Sequence, residues 1–277
     1  MRVDDNTKCI KWQSRLPAGQ DRQHFPRYND DMHWIYLSPH FDDVALSCGG
    51  LVWEQVRAGD TVSIWTVCAG TVPLGGLSPF AQELHARWEI DQDAPALRRL
   101  EDLHSCQILG ASSRYFSLPD CIYRRHPQTG EFLYATEAAL KSPLHPADAQ
   151  SVALLHKDLE QSLQTGIVFV SPLGLGNHVD HQLTRIASEG SGSTLWYYQD
   201  YPYVLRCQEQ VENMEKQGWL SQVFPISQEG LAIWQDSITS HGSQISTFWS
   251  GEAEMRQAIE DYWSYHRGIR LWRQPGS

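Results

Sequence analysis

The segment from residue 33 to residue 67 constrains the fold of this chain more than any other. Its apolar run at 33–37 is typical of a buried strand, and from Asp43 the apolar residues take helical spacing up to Gly59. The β-branched run at 61–67 then predicts a second strand. Strand, helix and strand at this spacing predict a βαβ unit with parallel strands. We therefore predict an α/β fold, with a Rossmann-like open, mostly parallel sheet and flanking helices.

The same reading extends along the rest of the chain. Helices are predicted at 95–109, 149–163 and 252–266, and strands at 115–118, 167–170 and 195–198. In the first of these helices the inward residues are predicted to be Leu97, Leu100, Cys106 and Leu109. Residues 120–146 are predicted to be a loop. We expect one domain over 1–277, with residues 1–32 as an N-terminal extension.

Composition excludes several classes of partner. The net charge is −11 and the chain has no basic run, whereas nucleic acids and anionic membranes attract clustered Lys and Arg. No apolar run has the length of a membrane span, and the acidic N-terminal residues do not look like a signal peptide, so we expect a cytoplasmic protein. The 6 cysteines form no C-x-x-C pair, which favours buried free thiols. The sequence leaves the oligomeric state open, a homo-oligomer included.

The first cluster of chemically active side chains is Pro39-His40-Phe41-Asp42-Asp43, directly after the first predicted strand. This spacing allows His40 and Asp43 to bend towards one metal ion while Asp42 projects to the side. Either acid also fits a structural role as the cap of the helix that follows. A cap needs only one acid, so the pair favours a functional site.

The second cluster is His178-Val179-Asp180-His181, which follows the predicted strand 167–170 through a glycine-rich stretch. Sites in open α/β sheets form at the carboxyl ends of strands, so the two clusters are expected to meet. His40, Asp43 and one residue of the second cluster would then form a two-His, one-carboxylate metal site. Three protein ligands leave a position for water, and Asp42 beside them would act as a base. This is the equipment of a metal-assisted hydrolase.

These motifs resemble those of the PIG-L/LmbE-like zinc-dependent N-deacetylases. That family shares Pro-His-x-Asp-Asp near the N-terminus and His-x-Asp-His in the C-terminal half. Phe41 stands where many members have a second proline, at a position that binds no metal. The resemblance extends to Arg98-x-x-Glu101 and to Leu118-Pro119-Asp120, and covers about residues 33–250.

The resemblance implies a role for each residue of the two motifs. Zn²⁺ would be the metal, with Fe²⁺ or another divalent metal as the alternative, and its ligands would be His40, Asp43 and His181. Asp42 would be the general base, and His178 the general acid that also stabilises the oxyanion. Asp180 would orient a neighbouring histidine.

Two further residues resemble the family's substrate-binding positions. They are Arg98 and Asp120, which also fit structural roles, on a solvated helix face and in a turn respectively. Other histidines are expected to be satisfied structural residues, namely His33, His104, His156, His241 and His266.

The function that we predict is hydrolytic removal of an N-acetyl group from an N-acetylglucosamine-type sugar or sugar conjugate, a small molecule. Two alternatives stay open at this stage. Two histidines and one carboxylate also describe Fe(II) enzymes, and a metal-stabilised module for binding sugars or docking partners needs no catalysis. The additional Asp42 favours hydrolysis.

Overall fold

The computed structural model describes residues 32–89, 93–192 and 194–276, so the predicted N-terminal extension lies outside the described residues except for Met32. The strands are β1 His33–Ser38, β2 Thr61–Thr66, β3 Ser112–Tyr115, β4 Ile167–Pro172, β5 Thr194–Tyr198, β6 Leu220–Pro225 and β7 Gly268–Arg273. The helices are α1 Asp43–Ala58, α2 Pro79–Arg87, α3 Ala94–Leu109, α4 Glu137–Leu140, α5 Ala149–Gln161, α6 Val179–Ser188, α7 Gln208–Lys216, α8 Gln228–Thr239, α9 Gly242–Phe248 and α10 Glu252–His266. Short 3₁₀ helices occur at Cys121–Tyr123, Pro146–Asp148 and Tyr203–Arg206.

The strands form one sheet in the order β3-β2-β1-β4-β5-β7-β6. The first five strands of the chain pair in parallel, and β7 pairs antiparallel with both β5 and β6. The predicted α/β fold with an open, mostly parallel sheet is confirmed. The chain extends the sheet first to one side of β1 and then, from β4 onwards, to the other. The boundary between β1 and β4 is therefore the topological switch point, where sites in such sheets form.

Helices cover both faces of the sheet. On β1, Trp34 and Tyr36 belong to one buried cluster, and Ile35 and Leu37 belong to the other. The first cluster includes side chains of α1, α3, α8 and α10, and the second includes side chains of α5 and α6. Burial on both faces explains why β1 reads as a continuous apolar run rather than an alternating one.

Helix α1 packs tightly against α8. It ends as predicted at Gly59, whose φ of 97° closes the helix in the left-handed conformation. A Cβ at Gly49 would lie 2.8 Å from Cδ1 of Trp234, so only glycine allows this approach. The Trp234 indole N–H donates a hydrogen bond of 2.8 Å to the Ala45 carbonyl oxygen. These contacts hold the start of α1, and with it the first motif, in a fixed place.

Three details of the sequence interpretation need correction. Leu97 and Leu100 are 41% and 65% exposed, because α3 turns polar groups such as Arg98 and Asp102 inward instead. The strand predicted at 115–118 is β3, Ser112–Tyr115, since its pairing with β2 stops at Tyr115. The predicted loop at 120–146 contains a 3₁₀ helix and the short helix α4.

The described cysteines are free, and all but Cys207 are buried, as the sequence predicts; Cys9 lies outside the described residues. Among the residues that the structure describes, no helix combines the length and the apolar character needed to cross a bilayer.

Candidate active site

The two sequence motifs meet at the carboxyl edge of the sheet. Strands β1 and β4 are parallel neighbours that end at Ser38 and Pro172. The first motif lies in the connection from β1 to α1, and the second begins after the loop that leads from β4 to α6. The expectation that both motifs lie at one edge of the sheet is confirmed, and they flank the switch point.

Asp42 stands at the N-cap position of α1, but its side chain does not cap the helix. The hydroxyl oxygen of Ser38 accepts a hydrogen bond of 3.2 Å from the Val44 N–H, whereas the Asp42 side chain makes no capping hydrogen bond. Asp43 Oδ2 accepts one of 2.7 Å from the His40 N–H, which folds the motif back on itself. The alternative in which Asp42 caps the helix is therefore wrong, and its carboxylate is left for other partners.

Three predicted metal ligands come together at this edge. Asp43 Oδ2 lies 3.1 Å from Nδ1 of His40, and Asp43 Oδ1 lies 3.3 Å from Nε2 of His181. A potential ligand atom of His178 also lies within 4.8 Å of one nitrogen from each of these histidines. The cluster therefore contains three imidazole rings, and the Asp43 carboxylate contacts two of them, those of His40 and His181.

His178 begins helix α6. Its Nδ1 accepts a hydrogen bond of 3.3 Å from the Asp180 N–H, which leaves the proton of the neutral ring on Nε2. The ring lies edge-on to His40, at 4.9 Å between centroids, and contacts the ring of His181 at 5.3 Å. Burial lowers the pKa of His178 well below its ordinary value, and the neighbouring His40 lowers it further. The neutral ring is therefore a hydrogen-bond donor in the middle of the cluster.

Asp180 is buried and contacts His40 from the side opposite to Asp43. Its Oδ2 lies 2.9 Å from Nε2 of His40 and also accepts a hydrogen bond of 3.0 Å from the Cys121 N–H. Arg124 donates to Oδ1 at 2.5 Å and is itself held by Asp148 at 3.0 Å. Burial alone would raise the pKa of Asp180, but Arg124 and His40 hold it well below the usual range. Asp180 is therefore an ionised acceptor next to His40.

Asp200 belongs to neither sequence motif, yet it contacts His181 directly. It follows β5, at the same edge of the sheet, and its Oδ1 accepts a hydrogen bond of 2.6 Å from Nδ1 of His181. Its Oδ2 accepts a second hydrogen bond of 2.8 Å from the Leu175 N–H. Since Nδ1 carries the proton, Nε2 is the His181 atom that faces Asp43. The position of Asp200 after a strand was the only signal in the sequence.

Arg98 and Asp120 lie beside the cluster. Arg98 is only 7% exposed, so the interpretation as a solvated helix residue is wrong. It donates a hydrogen bond of 3.0 Å to Asp42 Oδ1 and lies 3.7 Å from Asp120 Oδ2. Asp120 Oδ1 accepts from the Ile122 N–H at 3.2 Å, as expected for a turn, while its Oδ2 lies 3.9 Å from Nε2 of His40. The Asp120 carboxylate therefore stabilises the turn with one oxygen and faces the histidine cluster with the other.

Three of the five histidines expected to be structural show whether their ring nitrogens are satisfied. His33 and His156 are satisfied, with contacts of 2.6 Å to the Ser63 hydroxyl and 3.0 Å to the Ala187 carbonyl oxygen. For His241 the expectation is wrong. It is buried, and neither ring nitrogen has a hydrogen-bond partner among the described residues.

The charge distribution of the cluster fits a divalent cation. Burial alone would lower the pKa of His181, but Asp43 and Asp200 raise it to about 10. Burial would likewise lower the pKa of His40, yet Asp120, Asp180 and Asp43 raise it well above its ordinary value. The surrounding carboxylates thus favour positive charge at this point. Imidazole and carboxylate are also the ligands of catalytic zinc and related metals, so the residues fit such an ion.

Comparison with known proteins assigns the family. The family described as PIG-L, GlcNAc-PI de-N-acetylase, matches residues 35–189, more than half of the chain and both motifs. The chain belongs to the PIG-L family. A 2′-N-acetylparomamine deacetylase from Niallia circulans is 26% identical to this PIG-L family chain over 272 residues, 88% of the chain and 94% of the relative. One from Streptomyces fradiae is 27% identical over 177 residues, 61% of the chain and 57% of the relative.

A solved structure is similar over most of this PIG-L family chain. The zinc-inhibited form of the teicoplanin deacetylase Orf2 superposes with a TM-score of 0.74 at 25% identity, and the match covers 89% of this chain and 100% of Orf2. The two relatives in sequence and the Orf2 structure are thus all named as deacetylases, and the likeness extends well beyond the motif region.

Proposed function

We propose that this protein is a metal-dependent amidohydrolase that removes the N-acetyl group from an N-acetylglucosamine-type sugar or sugar conjugate. Membership of the PIG-L family and deacetylase relatives support the reaction class. One observation carries the proposal: the buried Asp42 side chain, next to Asp43, makes no capping hydrogen bond and is held by Arg98 at 3.0 Å. A carboxylate in this position is suited to take a proton beside a metal site.

The proposed metal ligands are His40, Asp43 and His181. A divalent ion held by them, Zn²⁺ or another such as Fe²⁺, would act as a Lewis acid towards the amide and would lower the pKa of water. Hydrogen bonds fix which ring atoms are offered. Asp200 engages Nδ1 of His181 and leaves Nε2, whereas Asp180 engages Nε2 of His40 and leaves Nδ1. Both remaining nitrogens face Asp43. Asp180 and Asp200 would thus position the ligands.

The proton transfers fall to Asp42 and His178. Arg98 occupies Oδ1 of Asp42, so the other oxygen of this carboxylate would take the proton from the attacking water. His178 would donate a hydrogen bond from Nε2–H to the amide oxygen as negative charge develops there. It would release this proton to the leaving amine only as the proton that Asp42 took from the water passes to the ring, so that His178 is neutral before and after the reaction. The hydrogen bond from the Asp180 N–H to Nδ1 keeps His178 in the tautomer that this step needs.

Asp120 and Arg98 would contact the sugar. With Tyr123 they line a small cavity next to the cluster. A carboxylate and a guanidinium together accept from and donate to hydroxyl groups, which suits a polyol. The binding-only alternative and the Fe(II) alternative both leave the buried Asp42 without a purpose, and for this reason we place hydrolysis first.

The test compares Asp42→Asn with Asp43→Asn. Metal content and release of free amine from a panel of N-acetylglucosamine conjugates are measured for both variants and for the unaltered protein. Asp42→Asn is expected to keep its metal and to lose about 10²–10⁴-fold in rate, because only the base is removed. Asp43→Asn is expected to lose metal as well as activity. Full activity of Asp42→Asn would contradict the proposal, and unaltered, metal-loaded protein inactive on the whole panel would favour a binding module.

A further inference from the structure

A small cavity of apolar character borders Asp42. It has room for about one water-sized group. Its apolar walls are Leu46 from α1, Ile238 from α8, and Ile245, Phe248 and Trp249 from α9 and the residue after it. None of these residues belongs to either sequence motif. The mechanism proposed above uses the carboxylate of Asp42 but assigns nothing to the cavity next to it.

This cavity and a second, polar one each border one member of an ion pair. Asp42 lines this apolar cavity, and Arg98 lines the polar cavity that also contains Asp120. The hydrogen bond of 3.0 Å between Arg98 and Asp42 lies between them. An N-acylated amino sugar is divided in the same way, with hydroxyl groups on one side of the scissile bond and a hydrocarbon group on the other. If the sugar lies with Arg98 and Asp120, the acyl group is directed to the apolar side.

His241 provides an independent sign that this cavity takes a ligand. The side chain lines the cavity and is 2% exposed, and both ring nitrogens lack a hydrogen-bond partner among the described residues. Burial lowers its pKa to about 4, so the ring is neutral near pH 7 and offers one N–H donor and one acceptor. Burying such a group without partners is unfavourable, and native proteins rarely do so without a purpose. The occupant must therefore carry a polar group as well as an apolar one.

We propose that this cavity is the acyl subsite, that its walls limit the acyl group to acetyl, and that His241 hydrogen-bonds the amide of the bound substrate. This inference rests on the proposed deacetylase function. An acetamide group meets both requirements of the cavity. Its methyl group is small enough for the apolar walls, and its amide offers a donor and an acceptor to His241. A purely apolar occupant would leave His241 unpaired, and a water molecule alone would not use the apolar walls.

The first test uses N-acetyl, N-propionyl and N-butyryl forms of one glucosamine conjugate, with kcat/KM measured for each. The unaltered enzyme should discriminate against propionyl by about tenfold or more. Ile245→Ala enlarges the cavity, and we expect it to raise the propionyl-to-acetyl ratio by about tenfold. The matched control is Ile186→Ala on α6, where Ile186 is 46% exposed and the ratio should stay unchanged.

The outcomes of this test separate the two proposals. Acetyl hydrolysis with a ratio that changes in Ile245→Ala alone supports the acyl subsite. Acetyl hydrolysis with the same ratio in Ile245→Ala and the control overturns the acyl subsite and leaves the deacetylase function intact. No hydrolysis of any acyl form by the unaltered, metal-loaded protein overturns the deacetylase function and the subsite with it.

The second test addresses His241. His241→Leu removes an unpaired buried polar group, so its thermal stability should be equal to or higher than that of the unaltered protein. Its kcat/KM for the acetyl substrate should nevertheless fall by about tenfold, and His241→Gln, which keeps a donor and an acceptor, should recover part of the loss. A purely structural histidine would give the reverse, with lower stability and unchanged kcat/KM, and that result would overturn the role of His241.

Discussion

At the scale of single residues, neighbouring positions of the first motif have separate tasks. The Ser38 hydroxyl accepts the hydrogen bond at the start of α1, and Asp43 binds the His40 N–H. Asp42 is thereby released from capping and is bound instead by Arg98. Residue types and spacing within such a short segment are readable from the sequence, and so the motif residues could be named before the structure was known.

Other site residues could not be named from the sequence, because their partners are distant along the chain. Arg124 contacts Asp180 from within a segment that shows no pattern, and Asp200 reaches His181 from the end of another strand. The sequence predicts a satisfied structural histidine at His241, since nothing in it shows whether a buried ring has a partner. Only the fold brings these groups to the motif residues.

The contact of Asp200 with His181 leads to a prediction about metal affinity. Asp200 accepts hydrogen bonds at both oxygens, of 2.6 Å from His181 and 2.8 Å from the Leu175 N–H. Asn has only one acceptor oxygen, so Asp200→Asn must leave one of these donors without its partner. We expect metal affinity or activity to fall about 10–100-fold, as is usual for the partner of a metal-binding histidine. Competition with a chelator measures the affinity.

The matched control for this prediction is Asp158→Asn, which changes an exposed acid on α5. Its metal affinity should equal that of the unaltered protein. An Asp200→Asn variant that binds metal within twofold of this control would show that Asp200 does not position His181.

At the scale of elements, the βαβ unit and the helices α1 and α10 were predicted almost residue by residue. Their apolar spacing is local, and it is reinforced by end signals such as Gly59. The strands β6 and β7 were not predicted. They pair antiparallel from Leu220–Arg273 to Pro225–Gly268, across more than forty residues of sequence, and Leu220 and Val223 on β6 are exposed. A half-exposed edge strand that depends on a distant partner has no strong local pattern.

Helix α9, which carries part of the walls of the proposed acyl subsite, is hydrogen-bonded to an acid on α3, Glu101. Glu101 accepts hydrogen bonds of 2.8 Å from the Ser243 N–H and 2.6 Å from the Ser243 hydroxyl, in the first turn of α9. Glu101→Ala removes both. We expect a loss of about 1–2 kcal/mol in the free energy of unfolding, together with faster amide hydrogen exchange in α9. Urea denaturation and exchange measured by mass spectrometry check the two effects.

Glu83→Ala, at an exposed acid on α2, is the control for Glu101→Ala and should change stability by no more than about 0.5 kcal/mol. If exchange in α9 were the same in both variants, Glu101 would not be what holds this helix. A lower kcat/KM in Glu101→Ala alone would connect the position of α9 to catalysis.

At the scale of the whole molecule, the sheet order places four site segments on one edge. The segments that follow β1, β3, β4 and β5 supply His40, Asp120, His178 and Asp200. The prediction of an open, mostly parallel sheet already implied that residues after different strands would meet. It did not determine which strands are neighbours, because order in a sheet depends on long-range packing. The pairing of β1 with β4 therefore had to come from the structure.

The packing of α3 against the sheet buries an acid, Asp102, and this affects the stability of the whole protein. Asp102 on α3 is 2% exposed, and its carboxylate contacts the Thr66 hydroxyl at 3.4 Å, the Cys106 thiol at 3.8 Å and the Tyr115 hydroxyl. Burial raises its pKa from 3.8 to about 7. Between these two pH values the folded protein keeps a proton that the unfolded chain has released. The contribution of Asp102 is thus fully present at low pH and is lost as the pH rises through about 7.

Asp102→Asn should remove this pH dependence, because asparagine has no proton to release. At about 1.4 kcal/mol for each pH unit, the gain in the free energy of unfolding should grow from near zero at about pH 4 to at most about 4 kcal/mol at about pH 8. Thermal unfolding of both proteins across this range, with chelator present, measures the difference. The titration of the histidines changes the stability of both proteins equally, so it cancels in this difference. Asp158→Asn, the exposed control, should show no trend, and a flat difference for Asp102→Asn as well would mean that Asp102 is ionised in the folded protein at neutral pH.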